Sequence, residues 1–306
     1  LRSAKMKESV YDLLCAVMLG VGNMCMFLGY DTSTSIVEPV LHSVHDRAPE
    51  TIDMHAGYNG TAMCLLLFMF VSVTAPWTIG TLGSKGSIVL GSVMFTLHLS
   101  TFFYVHYLPF YATSAAIGIG YSLFYSGHGA YVTEHSTKRT IERNSAMSYA
   151  LATSSLILGG IVILLTSRPL KGDTVDVTNS TVETVEKSYR QYSDGEIRMM
   201  YGAFTAFAVL SNVIFVFLPT RAVENSLAKV NDRKCRIGLG EQLKTVFSTM
   251  LEKRMIIAAP VYLFLGLVTA FWISIYPTTL IYSKRLAEIE NLQAYYIIAV
   301  GFGEIS

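Results

Sequence analysis

Long apolar stretches dominate this chain, and each is close to the length that a helix needs to cross a lipid bilayer. About 20 mostly apolar residues in helical form span the hydrocarbon core. Seven stretches are predicted as membrane spans: 11–30, 62–79, 87–107, 111–133, 146–166, 200–218 and 255–276. Little of the chain remains for a soluble domain. We therefore predict an all-α fold, a polytopic transmembrane helical bundle with these seven full spans and part of an eighth.

The composition excludes several classes of function. Charged residues make up 15% of the chain, whereas a soluble protein carries roughly 25%. The net charge is +1 and no basic domain stands apart, which argues against nucleic-acid binding. The four cysteines lack the spacing of a zinc site or a disulfide framework. With no nucleotide-binding loop or Ser-His-Asp arrangement in the sequence, we predict neither an enzyme nor a protein with a cofactor or metal. The expected environment is a lipid bilayer.

The distribution of basic residues predicts how the spans are oriented. Lys and Arg are more frequent in the cytoplasmic loops of membrane proteins. Here they concentrate in the N-terminal segment and in the segments 80–86, 134–145 and 219–254. An acceptor sequence for N-glycosylation begins at Asn179, in the long loop on the opposite side. The two signals agree, so we expect a cytoplasmic N-terminus and a glycan on Asn179.

A long polar connector after the sixth span divides the chain. We expect a six-helix bundle over residues 1–219, a cytoplasmic connector over 220–254 and the start of a second bundle over 255–306. This layout is typical of transporters built from two bundles. The last segment begins an eighth span but ends after about half of the length that a span needs. We therefore expect the chain to be a fragment of a longer protein.

Apolar residues recur at helical spacing within the connector, at Leu243, Val246, Phe247, Met250 and Leu251. Polar side chains occupy the other face of the same segment. Two interpretations fit this pattern. The segment is either an amphipathic helix that lies along the membrane surface or the lead-in to the seventh span.

A glycine-rich fourth span and the polar loop after it carry the most specific motif. Residues 118–121 read Gly-Ile-Gly-Tyr, residues 127–136 read Gly-His-Gly-Ala-Tyr-Val-Thr-Glu-His-Ser, and residues 142–145 read Glu-Arg-Asn-Ser. In these stretches the chain resembles the Unc-93-like family, a branch of the major facilitator superfamily. That family has Gln-Gly-x-Tyr-x-Thr at the end of its fourth helix, and His128 stands where Gln is common. The resemblance implies a major-facilitator-like bundle.

Charged residues follow the fourth span at its cytoplasmic end. Opposite charges on either side of a short loop favour ion pairs, although exposed pairs contribute at most about 1 kcal/mol each. We predict a charge clamp that joins the fourth and fifth helices, acting either as a structural latch or as a moving gate. The predicted clamp residues are Glu134, Lys138, Arg139, Glu142 and Arg143.

Ionisable residues inside membrane spans are costly, so they mark candidate functional positions. His98, His128 and Glu304 are the candidates in this chain, and Glu304 is the candidate partner for an ion or a proton. The aromatic residues Tyr125 and Trp272 are candidates for lining a solute site or an ion pathway at mid-membrane depth. The alternative is internal packing, with both histidines neutral and hydrogen-bonded.

Two functions from different classes fit these observations. The resemblance implies a protein that regulates or escorts a membrane partner, such as a potassium channel, because members of that family do so. The small number of ionisable residues within spans agrees with this interpretation. The alternative is a secondary transporter that moves a small, unidentified solute by alternating access. A seven-helix receptor does not fit a cytoplasmic N-terminus and an eighth span. The plasma membrane is the expected location.

Overall fold

The computed structural model describes residues 2–166, 191–221, 223, 225–230, 238–283, 285–286, 289 and 291–305. The predicted glycosylation site at Asn179 lies outside these residues. All regular elements in the described part of the chain are helical, which confirms the all-α prediction. They are α1 (Arg2–Thr34), α2 (Val37–Arg47), α3 (Ala56–Ser72), α4 (Ala75–Ser100), α5 (Tyr107–Glu134), α6 (Ile141–Thr166), α7 (Asp194–Val216), α8 (Leu227–Val230), α9 (Leu239–Met250), α10 (Lys253–Ala270), α11 (Tyr276–Tyr282) and α12 (Leu292–Ile305), with a 3-10 turn at Thr101–Phe103 and a π-helical segment at Phe271–Ile275.

Several of these helices are long and apolar enough to cross a membrane. In the described residues five segments meet both conditions: Val10–Thr34, Ala75–Phe103, Ile141–Thr166, Asp194–Val216 and Lys253–Ala270. Helices α3 and α12 are apolar but shorter. The multi-pass character of the chain is thereby confirmed, while the number of seven full spans stays a prediction.

The second and third predicted spans meet at a single residue rather than in a loop. The connector predicted over 80–86 lies inside α4, where the helical geometry is interrupted at Gly83 (φ 72°, ψ 168°). Side chains with a Cβ rarely adopt such angles, so glycine permits the break. The predicted second span is itself interrupted, because α3 ends at Ser72 and a new helix begins at Ala75 with Pro76 in its first turn.

Helix α1 packs against α6 and α7. Gly20 of α1 lies against Leu151 of α6, and Gly159 of α6 lies against Leu28 of α1. The two contacts have nearly the same sequence offset, so α1 and α6 run parallel. Two spans that start on the same side of a membrane have this relation, as the predicted topology requires.

Helix α5 fits closely between α3 and α4. A Cβ atom added to Gly127 would lie 2.8 Å from the carbonyl oxygen of Ser84, and one added to Gly91 would lie 2.8 Å from that of Gly120. These distances leave no room for a side chain at either glycine. Small residues allow such close backbone contact in lipid, where burial of apolar surface does not drive helices together.

Helix α2 was not predicted from the sequence. Its buried residue Glu38 accepts a hydrogen bond from the backbone N–H of Tyr58 (Oε2, 3.0 Å) and contacts His55 (Oε1, 3.3 Å). Burial raises the pKa of the Glu38 carboxyl, and these two contacts oppose the shift. The carboxylate therefore ties α2 to the first turn of α3.

The connector forms a helix of its own. Helix α9 ends at Met250, and the extended backbone of Glu252 (ψ 137°) separates it from α10. The segment with the apolar pattern is therefore a helix separate from α10. Whether it lies along the membrane surface stays a prediction. Helix α10, which lies in the predicted seventh span, continues through the π-helical segment into α11, so helical structure extends beyond the predicted end at residue 276.

Replacement of Gly127 by alanine tests the close contact between α4 and α5. The added methyl group would overlap the Ser84 carbonyl, and such overpacking costs typically 1–3 kcal/mol. We expect Gly127→Ala to lower the thermal unfolding midpoint of the purified protein in detergent. Gly129→Ala is the matched control, because nothing lies within 4 Å of a Cβ atom at that position. Equal midpoints for the two variants would contradict the close contact.

Candidate functional site

A cavity of about 930 Å³ lies between two sets of helices. Helices α1, α5 and α6 form one wall, and α10, the π-helical segment and α12 form the other. Four of the residues selected from the sequence line this one cavity: Tyr125, His128, Trp272 and Glu304. They come from three elements, α5, the π-helical segment and α12, so the fold brings together residues that are far apart in the chain.

The structure places His98 elsewhere. It is buried and lines a separate pocket of about 20 Å³. Its Nδ1 atom lies 3.1 Å from the hydroxyl of Thr113, and its ring packs against Phe102 and Phe110. His98 is thus an internally hydrogen-bonded core residue and does not reach the large cavity.

Aromatic rings form one wall of the cavity. Tyr125 stacks on Tyr121, with ring centroids 5.6 Å apart and an interplanar angle of 6°. Phe27 of α1 stacks on Tyr125 at 6.1 Å and meets Phe124 edge-on at 5.6 Å. On the other side Trp272 packs against Tyr276 at 4.9 Å. Mutual packing fixes the ring orientations, so the wall presents pre-arranged π faces.

The cavity is acidic. Asp31 of α1 and Glu304 of α12 both line it, and their like charges interact electrostatically. No Lys or Arg is among the described residues that line it. The nearby His128 is engaged, since its Nε2 atom lies 3.2 Å from the hydroxyl of Ser148.

Sequence reasoning missed Asp31 as a site residue because it lies at the end of a span. A signal was available in the helical spacing of α1. Asn23, Phe27 and Asp31 are four residues apart, and all three line the cavity. Residues at this spacing share one face of a helix.

The charge clamp has a different arrangement from the predicted one. Nη2 of Arg143 lies 3.3 Å from Oδ1 of Asp12 in α1, and Oε2 of Glu134 accepts a hydrogen bond from the Ser84 hydroxyl of α4 at 2.5 Å. No ion pair joins Glu134 to Arg143 in the structure. These contacts link α6 to α1 and α5 to α4, whereas the sequence predicted a link between α5 and α6.

The other residues of the loop take no part in an ion pair among the described residues. Lys138, Arg139 and Glu142 are exposed. His135 is buried, stacks on Tyr131 with centroids 4.0 Å apart, and its Nδ1 lies 2.9 Å from the Tyr131 carbonyl. Burial lowers the pKa of His135, so the ring is neutral at pH 7 and adds no charge to the cluster.

Comparison with known proteins gives a consistent result. The sequence profile of the family described as ion channel regulatory protein UNC-93 matches residues 48–306. The chain is also 24% identical over 308 residues to the UNC93-like protein MFSD11 of Xenopus laevis and 23% identical over 307 residues to that of Xenopus tropicalis. Each alignment covers 96% of this chain and 64% of the relative, so the chain spans less than two thirds of the length of these relatives. The resemblance found in the fourth-span motif is confirmed.

Loss of the Arg143 charge tests the contact with Asp12. Asp12 is 3% exposed and Arg143 is 45% exposed. Leaving a buried charge without its partner is destabilising, here by less than the about 3–5 kcal/mol of a fully buried pair, because water reaches Arg143. We expect Arg143→Gln to lower the thermal unfolding midpoint and the surface expression, and the double variant Asp12→Asn/Arg143→Gln to recover most of the loss. Arg139→Gln, which removes an exposed charge from the same loop, is the control and should change neither quantity. The absence of recovery in the double variant would count against a direct pair.

Proposed function

Because the chain belongs to the UNC-93 family, we propose that its protein regulates or escorts a membrane partner, with a potassium channel as the first candidate. The family match over residues 48–306 is the observation that carries this proposal, since the family is described by its role in ion channel regulation. The chain is a multi-pass membrane protein, so its partner would meet it inside the bilayer as well as in the loops.

The outer surface of the helices supports association within the membrane. Helix α3 exposes Leu65, Leu66, Met69 and Phe70, each with 48% or more of its surface accessible. Apolar helix faces of this kind contact either lipid or the spans of another protein, and packing between spans depends on shape rather than on apolar burial. The face is therefore suited to a partner helix.

The proposal includes an orientation and a location. We place the N-terminus in the cytoplasm, Asn179 on the external side and the protein in the plasma membrane, following the distribution of Lys and Arg. We also propose the division into a bundle over 1–219, a connector over 220–254 and a second bundle that begins at 255. In this arrangement the Asp12–Arg143 contact lies at the cytoplasmic side of the first bundle.

Co-purification and current recording test the regulatory function. The complete polypeptide that carries these residues would be expressed with candidate potassium channels and purified through an affinity tag on either partner. We expect both proteins to elute together, and we expect the channel current in intact cells to change when this protein is removed and to return when it is restored. Unchanged currents together with no co-elution for all candidates would refute the regulatory proposal.

Transport of a small solute is the second candidate function, and the large cavity favours it. Secondary transporters bind their solute between two bundles near mid-membrane depth, and the cavity lies between two such sets of helices. Four of the candidate residues, Tyr125, His128, Trp272 and Glu304, would then contact the solute or a coupled ion.

Uptake into liposomes separates transport from regulation. We expect a transporter to accumulate solute inside the vesicles against its concentration gradient when an ion gradient is imposed, and to stop when that gradient is collapsed by an ionophore. A regulatory protein alone would show no such accumulation. Protein-free liposomes and liposomes with the destabilised Gly127→Ala variant are the controls for leakage. Uptake that persists without the gradient would argue against coupled transport.

A further inference from the structure

The acidic character of the cavity indicates the charge of what it binds. The structure records neither a hydrogen bond nor an ion pair to the carboxylates of Asp31 and Glu304 among the described residues. Two carboxyl groups that face one cavity in a membrane interior disfavour each other's negative charge, because the surrounding dielectric constant is low. A bound cation would relieve this repulsion, whereas an anion would add to it.

Two buried residues that line the same cavity each have a polar atom with no hydrogen-bond partner among the residues that the structure describes. Asn23 is 3% exposed and its Oδ1 atom is unpaired, and Ser155 is 1% exposed with an unpaired hydroxyl. Both residues line the cavity. A buried polar group without a partner is destabilising, so a ligand that pairs with it gains affinity. A ligand with N–H donors would give both oxygens the hydrogen bonds that they lack.

The helix register brings these two residues to the level of one carboxyl group along the helix axes. Gly20 against Leu151 aligns α1 with α6, which places Asn23 near the level of Ser155. Gly301 of α12 lies against Ile157 of α6, and Gly160 of α6 lies against Ala294 of α12, so the two helices run antiparallel. Glu304 is therefore near the same level. Asp31 is eight residues beyond Asn23, which corresponds to about 12 Å along α1.

The aromatic wall fills the distance between the two carboxylates. Phe27 lies between Asn23 and Asp31 on the same face of α1, and its ring stacks on Tyr125. Tyr121 continues the stack. Such rings offer contact surface to an apolar or aromatic group, and their faces attract a cation placed over them.

From this arrangement we propose that the cavity is a binding site for a protonated organic amine with an aromatic or apolar body. Glu304 binds the ammonium group, Asn23 and Ser155 accept its N–H hydrogen bonds, the body packs on Phe27 and Tyr125, and Asp31 contributes attraction from the far end. The volume of about 930 Å³ falls in the range of small-molecule sites, roughly 300–1,000 Å³. This proposal rests on the cavity that the second candidate function, transport, would use, and names its ligand class; it does not depend on a channel partner.

Direct binding to the complete purified polypeptide tests the charge requirement. Three probes of similar shape differ in charge at neutral pH: phenethylamine (cation), 2-phenylethanol (neutral) and 3-phenylpropanoate (anion). We expect isothermal titration calorimetry to detect phenethylamine with an affinity at least about tenfold above that of the other two, which corresponds to about 1.4 kcal/mol. Equal affinity for the cation and the neutral probe would overturn the proposal, and so would the absence of any binding.

Two variants test the carboxylates. Glu304→Gln and Asp31→Asn each replace a carboxyl group by an amide while keeping the size of the side chain. We expect Glu304→Gln to weaken phenethylamine binding by about tenfold or more and Asp31→Asn by less. Glu142→Gln is the matched control, because it removes an exposed carboxylate outside the cavity and should leave the affinity unchanged. Unchanged affinity in both cavity variants would overturn the assignment of these residues.

A third variant tests the hydrogen bonds. Asn23→Leu removes the acceptor, and we expect it to weaken the binding of phenethylamine more than that of its N-trimethylated analogue, which has no N–H donor. A general folding defect would weaken both probes equally, and the ligand-free thermal unfolding midpoint of every variant reports such a defect directly. Equal loss for the two probes with an unchanged midpoint would contradict the hydrogen-bonding role. Failure of channel co-purification leaves this binding result unaffected, so the two proposals are separable.

Discussion

Close backbone contact at glycine is the constraint on which the packing of this protein depends. In lipid the apolar surfaces of two helices gain little from meeting each other, so their association relies on shape. Gly20, Gly91, Gly127 and Gly159 each bring one helix against the backbone or side chains of another. These contacts set the register of α1 against α6 and of α4 against α5. These registers help to set the positions of the cavity residues on α1, α5 and α6.

Much of the helical layout could be predicted from the sequence because each span is a nearly continuous apolar stretch. The exact helix ends could not, since hydropathy does not report a break such as the one at Gly83, where a single residue replaces an expected seven-residue connector. Helix α2 was missed for a related reason. It has only 11 residues and mixes apolar, acidic and basic side chains, so it lacks the pattern of a span.

The candidate site was only partly accessible from the sequence. Tyr125, His128, Trp272 and Glu304 could be selected because polar or aromatic residues within spans are conspicuous. That they share one cavity depends on helix packing, which brings α5 and α12 to opposite walls. The charge clamp shows the opposite case. Arg143 was assigned to its neighbours in the loop, whereas its partner Asp12 lies 131 residues away in the sequence, and proximity along the chain gave no indication of that contact.

The contact between α6 and α12 has a mechanical consequence. Gly160 of α6 lies against Ala294, and Gly301 of α12 lies against Ile157, so the two helices touch through small residues along one side of the cavity. If the two helix groups rotated relative to each other, this close contact would lie at the rotation axis. Widening would then occur on the far side, where Trp272 stands. The salt bridge between Arg143 and Asp12 joins α6 to α1, which belong to the same helix group, so such a rotation would leave it intact.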